Sequence, residues 1–411
     1  MIVSGIWRIM GLLIFFKGGV RVAFLGTLCL ILVLTTLAGN FANRLGVPAV
    51  IGELLIGIII GPALLNWVQL NSLVSLFADI GVVILMFLGG LESNLQLLMK
   101  YLKPAIVVAT SGVIFPIVMM GLASWWWGFT PLEALFIGVI FSATSVSISV
   151  AVLKEYHALS TREGATILGA AVADDIMGVI LLSLMISLLA SQGIQAAGSQ
   201  PALGLVLLEQ VAFFGGTYIV VKWIAPYLMH LSERLVMASS VTIMSMVICL
   251  SMAWLADIVG LSGAIGAFFA GIAVAHTPYR AVLADHVEPL GNAIFIPVFF
   301  VSVGLNMTLD HLADNLGIIV GLTVLACLAK LLGCGLGARL SGFDLKSSTV
   351  IGTGMIARGE MGLITAQIGH QAGLLGGADY SAMILVIVLA TIIAPLVLKQ
   401  ALKAMPQTAA E

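Results

Sequence analysis

The stretch Gly169-Ala-Ala-Val-Ala-Asp174-Asp175-Ile-Met-Gly178 sets two adjacent carboxylates inside an apolar run from about Thr166 to Ala190. A run of that length suits a membrane helix, which needs about 20 apolar residues. An ionised side chain at a bilayer centre costs about 2.5–3.5 kcal/mol on insertion scales, and two neighbours also repel. A purely structural helix would not carry the pair. A partner, a cavity or a cargo has to stabilise it, and the rest of the chain is read for these three.

The 411 residues are 61% hydrophobic and 9% charged, with a mean hydropathy of +1.18. A soluble domain cannot cover so much apolar surface with so few charges. About 13 spans with short loops use the whole length. The expectation is therefore an all-α polytopic membrane protein, one unit over 1–411, with no soluble regulatory domain. A net charge of −2 offers no basic face to nucleic acid. Cys29, Cys249, Cys327 and Cys334 match no metal or redox spacing and read as small core residues. No cofactor is expected. The start lacks the basic region and cleavage site of a signal peptide. Met1 to about Gly19, broken by Arg8 and Lys17, reads as an interfacial helix.

The expected spans start at about Val22–Asn43, Pro48–Leu65, Leu73–Leu91, Pro104–Trp127 and Pro131–Val152. The carboxylate span, the sixth, is Glu163–Ala190, and Ser191–Gln200 reads as a loop. Then come Ala202–Leu231, Leu235–Val259, Ser262–Ala275, Glu288–Leu305, Leu316–Leu340, Ser347–Gly373 and Tyr380–Leu402. Arg44, Lys100, Lys103, Lys154, Arg162, Lys222, Arg234, Arg280, Arg339, Lys346, Lys399 and Lys403 flank the joins after odd spans. The joins after even spans hold no Lys or Arg. The positive-inside rule puts the basic set, and the C-terminus, in the cytoplasm. Lys17 and Arg21 disagree with that pattern. Trp125-Trp126-Trp127 falls at the opposite, outer interface.

Besides the aspartates, Glu53, Lys330, and Arg358 with Glu360 lie within spans; Glu92, Asp257 and His276 sit nearer span ends and read as interfacial. At 1.5 Å per residue, Asp174 lies about 16 Å past Glu163, near the middle of a ~30 Å core. Lys330 lies about 21 Å past Leu316 by the same rise. Two carboxylates and one lysine leave one negative charge over, which suits a monovalent cation or a proton. Glu53 either lines an access funnel or caps helix packing. Ser160-Thr161-Arg162-Glu163 has capping-box spacing at the start of span six.

Span five contains Phe141-Ser142-Ala-Thr144-Ser145-Val-Ser147-Ile-Ser149, and span twelve contains Gly352-Thr-Gly354-Met-Ile-Ala-Arg358-Gly359-Glu360-Met-Gly362. Both are dense in hydroxyls or glycines and can unwind where freed backbone groups meet protein or water. Two interrupted segments in corresponding halves point to a transport site on inverted repeats. Thr144 and Ser145 are candidate ligands. Arg358 and Glu360, two residues apart, do not face each other on a regular helix, so they read as structural and electrostatic.

Seven stretches together resemble the monovalent cation:proton antiporter-2 family, most closely its NapA-type sodium/proton antiporters. They are Gly52–Pro62, Leu88-Gly-Gly-Leu-Glu92, Ser142-Ala-Thr-Ser145, Ala173-Asp-Asp175, Gly263–Gly271, Phe299–Gly304 and Ala357-Arg-Gly-Glu-Met-Gly362. The resemblance implies a multi-pass protein of a bacterial inner membrane with a NhaA/NapA-like fold, in which the two interrupted helices cross. It implies a homodimer whose core moves against a dimerisation part. The core is expected at about 73–190 and 288–373, and the scaffold at about 22–65 and 202–275. It implies Asp175 as the carboxylate that exchanges cation and proton, with Asp174 paired to Lys330, and electrogenic exchange of sodium or lithium. In potassium-efflux relatives the first acidic position is often not Asp and a nucleotide-binding domain follows, so they fit less well; a potassium/proton antiporter or potassium-efflux transporter of the same family is the alternative. A channel or sensor would not tie flux to protons. An intramembrane aspartyl protease needs carboxylates on separate segments, so no enzyme is expected.

Overall fold

Each long apolar run becomes a helix, and its ends are set by local chemistry. In the computed structural model, residues 20–191, 203–235, 237, 239–307 and 316–405 are described. The interfacial helix expected over 1–19 and nearly all of the expected 191–200 loop lie outside them. The described residues form helices and short connections, with no strand among them.

The first half holds α1 (Val20–Arg44), α2 (Ala49–Ile60), α3 (Ser72–Glu92), α4 (Leu95–Lys100), α5 (Leu102–Trp126), α6 (Pro131–Ile140), α7 (Val146–Glu155) and α8 (Arg162–Ser191). The second holds α9 (Leu203–Ile219), α10 (Ala225–Glu233), α11 (Ser240–Ile258), α12 (Gly263–Ala275), α13 (Arg280–Leu290) and α14 (Ile296–Leu305). It ends with α15 (Leu316–Leu340), α16 (Leu345–Gly354), α17 (Glu360–Gln371) and α18 (Gly377–Lys403). Among the described residues, nine helical stretches are long and apolar enough to cross a membrane. This is an integral, multi-pass membrane protein.

Asn71 caps α3 by accepting from the backbone N–H of Leu73 at 3.1 Å and of Val74 at 3.0 Å. Thr130 and Glu133 form a reciprocal capping box at α6, with Pro131 at its first position. The box expected at Ser160–Glu163 does not form. Thr161 caps α8 instead, accepting from Gly164 N–H at 3.1 Å, because Glu163 is drawn to Ser347, whose hydroxyl donates to it at 2.7 Å. Span two is shorter than expected, since Gly61 turns extended and Pro62 follows. Span ten starts earlier, at Arg280, and is continuous with α14 through a π-turn at Gly291–Phe295. A second π-turn, Val220–Ile224, joins α9 to α10. Each π-turn is followed by a proline near the start of the next helix, Pro226 or Pro297. A proline has no N–H to return to the preceding turn, so the ladder shifts there.

Packing gathers the helices into two groups. In one, α3 packs most extensively on α12, and α14 on α2 and α3. Glycines permit the close approach: a Cβ at Gly271 would lie 2.1 Å from Phe87 O, and one at Gly90 would lie 2.0 Å from Phe268 O. In the other group, α15 packs on α5, and α5 on α6 and α8. α18 packs on α15 and α16. Of the four cysteines, Cys249 and Cys334 are buried as expected, Cys327 is half-buried, and Cys29 is exposed. In a membrane protein an apolar run has a lipid-facing side, so hydropathy does not tell inside from outside.

Candidate functional site

Both hydroxyl- or glycine-rich segments break. Phe141–Ser145 separates α6 from α7, and Met355–Gly359 separates α16 from α17. The breaks cross in contact. Ser145 N–H donates to Ala357 O at 2.8 Å, and the Ser149 hydroxyl donates to Gly354 O. A Cβ on Gly359 would lie 2.6 Å from Ser145 Cβ, so only glycine allows this approach without movement. From α18, the Thr391 hydroxyl donates to Arg358 O at 2.7 Å. Protein groups thus satisfy part of the unwound backbone, as a membrane interior requires.

The crossing brings together the C-terminal ends of α6 and α16 and the N-terminal ends of α7 and α17. Helix ends carry about half a unit charge, negative at the C-terminus and positive at the N-terminus. Arg358 is fully buried. Its guanidinium donates to Ala143 O at 3.0 Å and to Ala326 O at 2.9 Å. A cation is thus held between a carbonyl at the break that follows α6 and one on α15. Glu360 is the first residue of α17, where a negative charge complements the helix end; its side chain lies outside the described atoms.

The two aspartates separate. Asp174 is 2% exposed and Lys330 fully buried. Lys330 Nζ donates to both Asp174 oxygens, at 3.1 and 3.3 Å. Gly112 on α5 leaves room for Cys334 on α15, one turn from the lysine, since a Cβ there would meet its Sγ. Asp175 is part-buried and lines a cavity of about 280 Å³. Thr144, Ser145, Ser147 and Arg358 line the same cavity from the crossing. Thr144 is 6% exposed, and its hydroxyl has no hydrogen-bond partner among the described residues. Ser75, Asp79, Ser262, Ser302 and Asn306 line it from the other packing group. The cavity therefore lies between the two groups.

Leu70 and Ser75, at the start of α3, line its end on that side. At the other end of α3, ion pairs close one packing group onto the other. Lys154 on α7 bridges Glu92 at 2.8 Å and Glu288 at 3.0 Å, and the Ser160 hydroxyl donates to Glu92 O at 2.8 Å. Glu92 is thus an ion-bridge partner rather than a merely interfacial group. Beside this closure, Arg162 donates to Asp344 at 2.9 Å and to Ser347 at 2.8 Å. The Ser347 hydroxyl, then backbone N–H groups and last the Arg162 charge hold the exposed Asp344 carboxyl below the usual carboxylate range.

Six of the sequence candidates, Asp174, Asp175, Thr144, Ser145, Lys330 and Arg358, come together here. Glu53 does not line the cavity; it lies on α2, where the neighbouring charge is Glu155. Asp79 was the residue sequence reasoning passed over. Its signal was present: an aspartate seven places into an apolar helix, subject to the same argument as Asp174.

A profile of the sodium/hydrogen exchanger transmembrane family matches residues 29–404. A Na(+)/H(+) antiporter of Enterococcus hirae is 49% identical over 376 residues, covering 92% of this chain and 97% of that protein. The Na(+)/H(+)-K(+) antiporter GerN of Bacillus cereus is 41% identical, covering 92% of this chain and 95% of its own length. Among solved structures, the sodium proton antiporter MjNhaP1 of Methanocaldococcus jannaschii superposes with a TM-score of 0.66 at 19% identity, over 92% of this chain and 98% of that one. That likeness is one of fold.

Proposed function

The chain belongs to the sodium/hydrogen exchanger family and is a sodium/proton antiporter, a transporter rather than an enzyme; we propose that Asp175 is the carboxylate at which the two ions compete. The observation that carries this reading is the division of the aspartate pair. Asp174 is sealed against Lys330, while Asp175 lines the cavity with the Thr144 hydroxyl. Sodium bound at Asp175 takes oxygens from Thr144, Ser145 and unwound carbonyls; a proton at Asp175 excludes it. If only loaded states reorient, competition at one carboxylate gives antiport.

Nine long helices, the shorter α2 and α12, and the two broken segments α6–α7 and α16–α17 amount to thirteen crossings if each spans. With the basic joins inside, the C-terminus is cytoplasmic in a bacterial inner membrane, and the cavity faces outward while the Lys154 bridges close the inner side. Alternating access then moves α5–α8 with α15–α18 against α1–α3 with α9–α14. This partition differs from the sequence expectation. It moves 73–92 and 288–305 to the scaffold, because α3 and α14 pack on α2 and α12, and adds α18 to the core. The NapA-type, antiporter-2 assignment and a homodimer formed through the scaffold rest on the quoted motifs. Arg358 and Glu360 serve as fixed charges that balance the helix ends. Electrogenic exchange follows if sodium loosens the Asp174–Lys330 pair and a second proton leaves.

The test is dissipation of a pH gradient in proteoliposomes with sodium, lithium or potassium, with the membrane potential controlled. Asp175→Asn is expected to abolish exchange with every cation. Full exchange by that variant, or exchange driven by potassium alone, overturns the reading.

A further inference from the structure

Asp79 is the second carboxylate in the wall of the cavity that holds Asp175. It stands on the opposite packing group: Asp175 belongs to α8, Asp79 to α3. At 1.5 Å per residue it lies about 10 Å into α3 from Ser72, between the Leu70 end of the cavity and the crossing. Asp257, near the end of α11, is a second carboxylate on this packing group but does not line the cavity. Asp257 also faces Gly263 at the start of α12, where a Cβ would lie 2.9 Å from its Oδ1. Asp79 is thus the scaffold carboxylate in the cavity wall, and Asp257 lies outside that wall. The facing cation, Arg358, is already engaged by Ala143 O and Ala326 O. An acidic pair alone does not make a site. Here the same cavity also contains a buried hydroxyl, Thr144 Oγ1, with no partner among the described residues.

We propose that Asp79 is a cation-recruiting residue on the scaffold side of the cavity, which takes a dehydrating sodium ion before it reaches Asp175. The proposal rests on the reading of Asp175 as the exchange site. It adds a sided consequence. A ligand fixed to the scaffold cannot travel with the core, so Asp79 serves sodium arriving by the Leu70 end, the mouth on the outward-facing reading, and is absent from the pathway on the other side. Asp175 travels and serves both.

The experiment compares right-side-out and everted membrane vesicles, with sodium alone as the probe. Asp79→Asn is expected to raise the apparent KM for sodium about fivefold from the mouth side, the weight of one unit charge at close range in water. The KM from the opposite side and the maximal rate stay unchanged. Asp79→Glu, which keeps the charge, is expected to restore the mouth-side KM. An equal rise from both sides, or no change from the mouth side, overturns the proposal; so does a failure of Asp79→Glu to rescue. Asp175→Asn, run in parallel, separates the two readings: its loss of exchange from both sides supports the exchange site whatever Asp79 does.

Discussion

Asp174 and Asp175 are neighbours in sequence and strangers in space. Consecutive residues on an α-helix point about 100° apart, so one helix delivers them to different surroundings. Asp174 turns to α15 and finds Lys330 in a dry interior. Asp175 turns to the seam between the packing groups and finds a cavity, hydroxyls and the crossed breaks. The pairing fixes the charge of the first. The cavity lets the second change its occupant. On the proposed reading, a carboxylate facing a cavity lined with hydroxyls serves as the carrier, and one facing a buried lysine serves as a fixed charge.

The largest expected effect comes from removing the carrier. Asp175→Asn should reduce exchange to the background of empty liposomes while costing less melting temperature than a change at Asp174, because the buried Asp174–Lys330 pair is left intact. Asp174→Asn should do the reverse in kind: it strands Lys330 in a dry site. A full loss of exchange in both variants with equal loss of stability would erase the distinction between the two residues.

Lys330→Met tests the sealed member from the other side. It leaves Asp174 ionised and unpaired, and breaking one partner of a buried pair costs about 3–5 kcal/mol. The melting temperature should therefore fall steeply. The double variant Asp174→Asn with Lys330→Met should recover most of that loss, since replacing both members of a buried pair is often near neutral. Voltage sensitivity of the remaining exchange should disappear in the double variant if the pair carries the second proton. Electrogenic exchange as in the wild type would remove the pair from the proton pathway.

The comparison also marks what could be read from the sequence. Asp174, Asp175 and Lys330 were legible because a charge in an apolar run demands an explanation. The breaks were legible because Ser142–Ser149 and Gly352–Gly362 are poor at holding an uninterrupted apolar helix. The crossing itself was available only through family resemblance. Asp79 was passed over although the same rule covered it. Other features had no local signal. Helices apolar on every side carry little periodicity, so nothing in the sequence assigned α3 and α14 to one packing group or turned Cys29 outward. The Lys154 bridges join residues 62 and 134 positions apart, and the spacing of single charges does not reveal such pairs.

The smallest predicted effect bears on the cavity side alone. Thr144→Val keeps the side chain's shape and removes a hydroxyl that has no partner among the described residues. An unsatisfied buried hydroxyl costs about 1–3 kcal/mol, so its removal should not lower the melting temperature. What it removes is one oxygen available to a cation at Asp175. Proton binding at the carboxylate needs no such ligand. The apparent KM for sodium should therefore rise a few-fold at high pH, where protons compete least, with the maximal rate kept. Lowering the pH should raise KM further in wild type and variant in parallel, because the competing site is Asp175 in both. A lower melting temperature with an unchanged KM would instead make Thr144 a packing residue and confine the ion's ligands to Asp175, Ser145 and the unwound backbone.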